Sequence, residues 1–242
     1  KQIYVPTNIV SRPMRYIAHR GASAIAPENT IPAYELAGQL GFWGVEADAI
    51  VTKDGVWVAL HDTNVERMTN GSGNIQEMTF AEVQNLKIDA GANVNYYPDQ
   101  KIPTIEEFLD ICIKWELVPI IEVKGNMDIE NAQSLIELIQ SKGLIGKVII
   151  SSLKLSHLTT IREINKEVFV EYATFFDSST IDIIKSLGNA MLSLDYRNVN
   201  ESVARQCGQN NIILSSYTIN DYNIAKSFEQ LGISQIYTDI LC

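Results

Sequence analysis

Short apolar runs recur along the chain, and most of them are followed by a longer amphipathic segment. The short runs are rich in Val, Ile and Tyr, which favours β-strands, whereas the longer segments carry apolar residues at helical spacing. The predicted strands cover residues 15–19, 45–51, 56–61, 119–124, 147–152, 168–173, 190–195, 212–217 and 235–238. The predicted helices lie near residues 30–40, 104–115, 128–142, 155–165, 179–187, 200–209 and 220–230. This alternation predicts βα units built around a parallel sheet.

Two positions carry the spacing of a capping box, in which a Thr is followed three residues later by a Glu. Thr79 precedes Glu82 in this way, and Thr104 precedes Glu107. The two side chains of such a pair satisfy backbone N–H groups at a helix start. We therefore expect a short helix near 79–87 and the start of a longer helix at residue 104.

The ninth predicted strand is one more than an eight-stranded barrel needs. Only Lys53-Asp54-Gly55 separates the runs 45–51 and 56–61, and Asp-Gly is a favoured two-residue hairpin turn. These two runs are therefore expected to form an antiparallel hairpin. The chain has 242 residues, and a (β/α)8 barrel commonly needs about 250. The pattern thus predicts an α/β fold, a TIM-type (β/α)8 barrel with a hairpin near 45–61.

The segment 62–101 is the longest interruption of the strand-helix alternation. It contains a glycine-rich stretch at 70–73 and a polar stretch at 89–100, with the short helix between them. We expect a small excursion over one face of the barrel. No composition shift or linker marks a second domain, so residues 1–242 are expected to form one barrel domain.

Composition and charge limit the possible partners. The net charge is −10, which argues against a nucleic-acid partner because such partners require a basic face. No apolar run reaches the roughly 20 residues of a membrane-spanning helix, so no stable membrane insertion is expected. Three cysteines are far apart and lack zinc-ligand spacing, and Cys112 is expected to be a buried thiol. The acidic balance and the non-Met first residue slightly favour a periplasmic or secreted protein over a cytoplasmic one.

Charged residues concentrate on the predicted hairpin. A two-residue turn at Asp54-Gly55 would place Asp48 opposite His61. The two-residue period of a strand puts Glu46 and Asp48 on the same face. Two acids that face a barrel interior are costly to bury unless a cation or a hydrogen-bond donor satisfies them.

Further charged residues lie where strands of the barrel are expected to end. His19 and Arg20 follow the first strand, and Glu122 and Lys124 end the strand 119–124. Catalytic groups of such barrels cluster at the carboxyl ends of the strands. Carboxylate oxygens without cysteine are the ligands that Ca²⁺ and Mg²⁺ prefer. The two histidines are suited to act as general acid and general base. Arg20 and Lys124 are suited to bind a phosphate. The set predicts metal-assisted phosphoryl chemistry.

Each of these residues alone also has a structural interpretation. A single histidine at a strand end is more often structural, and Glu122 with Lys124 could be an internal ion pair. Asp62 could cap or orient His61. His157 begins a helical pattern without a partner in sequence, so we expect no role for it in the site. The functional interpretation depends on the fold bringing the charges together at one barrel mouth.

The motifs resemble those of the glycerophosphodiester phosphodiesterase family. The similarity covers nearly the whole chain and includes HRG (19–21), PENT (27–30), the acids of 46–48, T-x-DG (52–55), HD (61–62), ExK (122–124), VIISS (148–152), YTIN (217–220) and IYTD (236–239). The resemblance implies a TIM-type barrel and a phosphoric diester hydrolase. It also implies cleavage of glycerophosphodiesters, such as glycerophosphocholine or glycerophosphoethanolamine, to an alcohol and glycerol 3-phosphate, usually with a divalent cation.

The resemblance also implies a role for each matching residue. It implies that His19 and His61 are the catalytic pair. It implies that one divalent cation, Ca²⁺ or Mg²⁺, is bound by Glu46, Asp48 and Glu122. It also implies that Arg20 and Lys124 contact the phosphate. By resemblance, a glycerol hydroxyl attacks phosphorus and water then opens the cyclic phosphate. One histidine takes the proton and the other protonates the leaving alcohol, in either assignment.

Three positions depart from the family pattern. Tyr217 stands where the family has a tryptophan, Leu153 replaces the aromatic after Ser152, and Ile240 replaces a proline. None of these positions belongs to the metal-ligand or histidine set. The departures concern the pocket for the alcohol half of the substrate, in which Tyr217 is a candidate lining residue.

Other functions are compatible with these residues. A related phosphodiesterase of the phospholipase type would act on lipid, and the lack of an obvious exposed apolar or basic segment argues against it. A sugar-phosphate isomerase or aldolase barrel fits the two histidines and the acid motifs poorly. A barrel that only binds phosphodiesters would need no complete set of acids and histidines, yet the set is complete. The oligomeric state stays open.

Overall fold

The computed structural model describes residues 14–241, and all nine predicted strands are present there. Residues 1–13 and Cys242 lie outside the described residues. The strands are β1 (Arg15–Ala18), β2 (Gly44–Val51), β3 (Trp57–Ala59), β4 (Val118–Val123), β5 (Ile149–Ser152), β6 (Phe169–Ala173), β7 (Ala190–Asp195), β8 (Leu214–Tyr217) and β9 (Gln235–Thr238).

The predicted helices are also present. They are α1 (Ile31–Gln39), α2 (Phe80–Val83), α3 (Ile105–Trp115), α4 (Ile129–Ser141), α5 (Leu155–Ile164), α6 (Thr180–Leu187), α7 (Glu201–Gln209) and α8 (Tyr222–Gln230). Thr79 and Thr104 form the two expected capping boxes, with Glu82 and Glu107 returning hydrogen bonds to the backbone. Local sequence signals therefore fix where these helices begin.

Eight parallel strands close into a barrel, which confirms the predicted TIM-type fold. The sheet runs β1-β9-β8-β7-β6-β5-β4-β2, and a parallel pairing between β1 and β2 closes the ring. The ninth strand, β3, pairs antiparallel with the distal half of β2 and stays outside the ring. The hairpin thus accounts for the extra strand.

The register of the hairpin differs from the prediction by one residue. Ala49 pairs with Ala59, and the backbone N–H of Leu60 donates to the carbonyl of Asp48 at 3.0 Å. The loop contains three residues, because Gly55 has a φ of +87° and adds a residue after the turn. Asp48 therefore lies opposite Leu60, and the predicted pairing of Asp48 with His61 is wrong. The prediction failed because an Asp-Gly turn also fits a three-residue loop whose last residue is left-handed.

Apolar side chains fill the layer between the strands and the helices, and they also fill the lower part of the barrel interior. The interior group comprises Ile17, Val118, Ile120, Ile149, Phe169, Met191, Ile213 and Tyr237. This group closes the barrel at one end, so a cavity inside the barrel opens toward the carboxyl ends of the strands.

The excursion 62–101 packs on the face of the hairpin that carries Ile50 and Val58. Its buried residues, among them Val65, Ile75 and Val83, share a cluster with Ile50 and Val58 of the two strands. Gly91 approaches Pro27 so closely that a Cβ atom there would lie 2.9 Å from the proline Cα. The excursion is therefore held against both the hairpin and the loop that follows β1.

The remaining observations on the fold concern the cysteines and the lengths of the helices. Cys112 is buried within α3, as predicted, and Cys207 is buried within α7. Across residues 14–241, none of the helices combines the length and the apolar character needed to cross a bilayer.

Candidate active site

A cavity of about 230 Å³ opens at the carboxyl ends of the barrel strands, and two different walls line it. One side is the charged wall, formed by His19, Arg20, Glu46, His61, Glu122 and Lys124. The opposite side is the hydroxyl wall, formed by Ser151, Glu171, Ser193, Tyr217 and Tyr237. The residues proposed from sequence for catalysis, for phosphate binding, for cation binding and for the pocket all border this cavity except Asp48, which is not among the lining residues.

Three carboxylates converge in the charged wall. Glu46 and Asp48 both point into the barrel, as strand periodicity predicts, and each is 1% exposed. Asp48 pairs with Glu122 across β2 and β4. One oxygen from each of the three carboxylates lies within 4.8 Å of the other two. The structure therefore brings together the three residues that the sequence groups as metal ligands.

The charges of this cluster are unequal. Burial would raise the pKa of Asp48, but Lys124 and Arg20 outweigh it and lower this pKa to about 2. Burial, together with the charges of Asp48 and Glu122, raises the pKa of Glu46 well above its ordinary value. The charged form of Asp48 is thus favoured, whereas the charged form of Glu46 is disfavoured unless a further cation is supplied.

The cluster fits a hard divalent cation. Glu46 Oε1 is buried without a hydrogen-bond partner. Asp48 Oδ1 also makes no hydrogen bond, although Lys124 Nζ lies 3.2 Å from it. Carboxylate oxygens without sulfur or imidazole are the donor set of Ca²⁺ and Mg²⁺. A cation held here would satisfy both orphaned oxygens and offset the repulsion among the three carboxylates.

The exit from β1 shapes the phosphate side of the cavity. Arg20 has a φ of +58°, and its backbone N–H donates to Glu46 Oε2 at 2.8 Å. A Cβ atom on Gly21 would lie 2.7 Å from the backbone carbon of Ala33, so no larger residue fits this turn. Arg20 Nε lies 3.2 Å from Asp48 Oδ2. The sharp turn therefore sets the arginine beside the carboxylate cluster.

Each histidine of the charged wall is held by a carboxylate at its Nδ1 atom. The distance is 2.8 Å from His19 to Asp239 Oδ1 and 2.8 Å from His61 to Asp62 Oδ1. Burial would raise the pKa of Asp239, but hydrogen bonds from His19 and other donors lower it to about 2. An ionised carboxylate only accepts hydrogen bonds, so Nδ1 carries the proton and donates. The Nε2 atom of each ring is left to exchange a proton.

Two charged residues that sequence reasoning did not select, Arg67 and Glu28, connect the two histidine-bearing loops, and a third, Asp239, holds His19. Arg67, in the excursion, pairs with Asp62 through Nε and with Glu28 Oε1 through Nη2 at 2.6 Å. Glu28 also accepts from Arg20 Nη1 at 3.1 Å. Glu28 lies in the PENT motif and Asp239 in IYTD, so both motifs were visible, whereas Arg67 carried no signal of its own.

Asn29 supports the carboxylate cluster and was also missed. Its Nδ2 atom donates to Asp48 Oδ2 at 2.8 Å, and its Oδ1 atom accepts from the backbone N–H of Asp48 at 3.1 Å. The hydroxyl of Tyr34 donates to the same Oδ1 at 2.9 Å. The PENT motif thus supplies a side chain that fixes the orientation of Asp48.

The hydroxyl wall centres on Glu171, which sequence reasoning did not single out. Its carboxylate accepts hydrogen bonds from three hydroxyls, and Tyr217 borders the cavity nearby, as expected for a pocket residue. Glu171 occupies an inward position of β6, two residues from Phe169 and Ala173. Its acidic character at an inward strand position was therefore the available signal.

His157 lies outside the cavity, as the sequence suggested. Its Nδ1 atom lies 2.9 Å from Ser152 Oγ, and its side chain is buried at the start of α5. Burial lowers its pKa, and the Lys154 charge adds to that effect. Its role is to pack the strand-helix connection.

Comparison with known proteins gives a consistent result. The model of the glycerophosphoryl diester phosphodiesterase family matches residues 19–241. The chain is 28% identical to a glycerophosphodiester phosphodiesterase of Caldanaerobacter subterraneus, over 92% of this chain and 93% of that protein. It is 41% identical over 132 residues to glycerophosphodiester phosphodiesterase 1 of Mus musculus. That match covers 54% of this chain and 39% of the mouse protein, so the chain corresponds to about two fifths of this relative.

A solved structure shows the same architecture. A phosphodiesterase of Oleispira antarctica, in complex with the product sn-glycerol-3-phosphate, superimposes with a TM-score of 0.86 at 26% identity. The similarity covers 93% of this chain and 92% of that one.

Proposed function

The chain belongs to the glycerophosphoryl diester phosphodiesterase family, and on that basis we propose that it hydrolyses glycerophosphodiesters to an alcohol and glycerol 3-phosphate. It acts as a single barrel domain with one divalent cation, Ca²⁺ or Mg²⁺. The observation that carries this proposal is the convergence of three carboxylates within 4.8 Å of one another, beside two basic residues and two carboxylate-bound histidines.

The proposed substrate-binding groups are Arg20 and Lys124, which lie on the charged wall and would bind the phosphate oxygens. Glu46, Asp48 and Glu122 would hold the cation. When bound, a divalent cation supplies positive charge for phosphate oxygens and lowers the pKa of a hydroxyl that contacts it. Lys124 already contacts Glu122 at 2.6 Å, so phosphate and cation sites adjoin.

The two histidines would move the protons. One Nε2 atom takes the proton of a glycerol hydroxyl as its oxygen attacks phosphorus, and the bond between phosphorus and the alcohol oxygen breaks. The other Nε2 atom gives a proton to that leaving oxygen. Water then opens the resulting cyclic phosphate, with the two histidines in exchanged roles, to give glycerol 3-phosphate. Asp239 and Asp62 hold both rings in the required tautomer.

The test is the release of glycerol 3-phosphate from glycerophosphocholine, glycerophosphoethanolamine and glycerophosphoglycerol. We expect release that EDTA abolishes and that Ca²⁺ or Mg²⁺ restores. Glu46→Gln, in the cation cluster, should remain inactive with either ion, whereas Glu66→Gln, at an exposed position of the excursion, should behave as the parent. Absence of release by a folded protein with every ion would contradict the proposal.

A lipid phosphodiester is the second candidate, because exposed apolar side chains follow two neighbouring strands at the carboxyl end of the barrel. Leu153, which borders the cavity, is 56% exposed, and Phe175, after the neighbouring strand, is 76% exposed. No sequence pattern indicates this pair of exposed side chains, since each residue is a single apolar position in its loop. The cavity volume of about 230 Å³ favours a small diester. Turnover of lysophosphatidylcholine above that of glycerophosphocholine would reverse this preference.

A further inference from the structure

One buried carboxylate in the cavity has no part in the chemistry described above. Glu171 is 1% exposed, lies at the middle of β6 and borders the cavity on the hydroxyl wall. Its Oε1 atom accepts from Ser151 Oγ at 2.9 Å and from Tyr237 OH at 2.6 Å. Its Oε2 atom accepts from Ser215 Oγ at 2.7 Å. The side chain is therefore fixed, and its orientation does not depend on a ligand.

The partners of Glu171 are all neutral, which distinguishes it from the acids of the charged wall. Glu122 contacts Lys124, and Asp48 contacts both Lys124 and Arg20. Among residues 14–241, no Lys, Arg or His forms an ion pair with Glu171. Burial raises its pKa, although the hydrogen bonds from Tyr237 and the serines act in the opposite direction. The three hydroxyls offset part of the cost of burying this carboxylate, and a cationic ligand would supply the counter-ion that the described residues do not.

The carboxylate also retains room for one more donor. Two carboxylate oxygens together accept about four hydrogen bonds, and the three hydroxyls fill two at Oε1 and one at Oε2. Ser193 Oγ, which borders the same cavity, lies 2.8 Å from Ser215 Oγ. The hydroxyl wall thus offers a fixed carboxylate with one acceptor site unfilled, and the Ser193 hydroxyl, which borders the cavity, is linked to it through Ser215.

We propose that Glu171 binds the protonated primary amine of the substrate's alcohol half, so that the enzyme favours an aminoalcohol diester over one with a neutral alcohol. This inference rests on the proposed function. A zwitterionic diester presents its phosphate anion to Arg20 and Lys124 and its ammonium to the opposite wall. A primary ammonium has N–H groups for the open acceptor site, whereas a quaternary ammonium has none. Loss of a charge-assisted hydrogen bond to a buried acceptor reduces affinity strongly.

The first test needs only the unmodified protein. Glycerophosphoethanolamine and its N-acetyl derivative share the glycerol, the phosphate and the ethyl linker, but only the former carries a charged amine. We expect kcat/KM for glycerophosphoethanolamine to exceed that for the N-acetyl derivative, and that for glycerophosphoglycerol, at least 10-fold. Equal values for all three would contradict the role of Glu171 without affecting the proposed function. Absence of glycerol 3-phosphate from every substrate would contradict both.

The second test uses Glu171→Gln, which preserves size and removes the charge. The variant should lose at least about 10-fold in kcat/KM for glycerophosphoethanolamine, mainly through KM, while glycerophosphoglycerol changes less than about 3-fold. Glu167→Gln, at an exposed position just before β6, is the matched control and should change neither value. An equal loss for both substrates, or a preference in the parent protein that survives in Glu171→Gln, would overturn the proposal.

Discussion

The two walls of the cavity are built in opposite ways. On the charged wall, adjacent acids and bases neutralise one another, and the residues come from motifs within the first 124 positions of the chain. On the hydroxyl wall, neutral hydroxyls surround one acid, and the residues come singly from separate strands in the second half. Groups that act on the phosphodiester must contact one another. Several of them therefore lie close together in the sequence and form short motifs. A pocket for a variable alcohol needs only side chains of suitable size and polarity.

This difference has a consequence that mutations can test. Changes on the charged wall should reduce turnover of every substrate by the same factor, because all substrates share the phosphate and the glycerol. Changes on the hydroxyl wall should alter the ratio between substrates. A charged-wall variant that changes this ratio would break the distinction.

The largest expected effect is loss of either histidine of the charged wall. His19→Ala or His61→Ala should lower kcat by about 100- to 10,000-fold, because positioned acid or base groups contribute factors of that size. The melting temperature should change little, since both side chains are partly exposed. His157→Gln is the matched control and should retain full kcat, because its ring packs outside the cavity. Unfolding of the first two variants would favour structural roles instead.

The next effect concerns cation binding by Glu46→Gln. Removing one carboxylate of the cluster should weaken divalent-cation affinity by more than about 100-fold, because loss of a group that only supports a metal ligand already costs about 10- to 100-fold. Cation at 100 times the dissociation constant should stabilise the parent protein by about 2.7 kcal/mol, or about 5–10 °C in melting temperature. The variant should lose this increase.

Without a divalent cation, Glu46→Gln should melt at or above the temperature of the parent protein at pH 7. Burial and the charges of Asp48 and Glu122 raise the pKa of Glu46, so its charged carboxylate is costly in the absence of a cation, and a neutral amide of the same size removes that cost. A large loss of stability in cation-free buffer would show that Glu46 serves the fold more than the cation.

A smaller effect is expected at Arg67, which touches no reacting atom and positions the residues around it. Arg67→Gln should lower kcat by about 10-fold with KM nearly unchanged, because Asp62 would then hold His61 less firmly while Arg20 remains. Arg197→Gln, which removes an exposed arginine paired with Asp195, is the control and should leave kcat unaltered. A rise in KM without a fall in kcat would place Arg67 in substrate binding instead.

The smallest effect is a pH dependence of stability at Asp239. Its pKa falls from 3.8 to about 2 on folding, so its contribution is complete above pH 4 and is lost as the pH falls toward 2. This contribution is on the order of 1–2 kcal/mol after allowance for partial exposure. Asp239→Asn should therefore show a shallower decline of melting temperature between pH 4 and pH 2. An identical decline in both proteins would contradict the pairing with His19.

The order of strands and helices followed from the sequence because each element carries its own pattern and its own caps. Thr79 and Thr104 mark helix starts through contacts within three residues. The hairpin register did not follow, because a single glycine decides between a two-residue and a three-residue loop. Local sequence signals therefore predict the strands and helices better than the pairing register between neighbouring strands.

The candidate site followed the same rule. Glu46, Asp48 and Glu122 were grouped correctly because strand periodicity and one motif pair placed them on inward faces. Arg67 and Glu171 escaped notice because Glu28, which ties Arg67 to the phosphate side, lies 39 residues from it, and the hydroxyl partners of Glu171 lie 20 residues away or more. Contacts between distant segments exist only once the barrel closes, and no spacing along the chain encodes them.

The most direct test of the proposed chemistry is a crystal structure with glycerol 3-phosphate and a divalent cation. We predict one ion with oxygens of Glu46, Asp48 and Glu122 at about 2.0–2.6 Å, and a phosphate within hydrogen-bond distance of Arg20 and Lys124. A phosphate bound away from both basic residues, or an ion held outside the three carboxylates, would contradict the account.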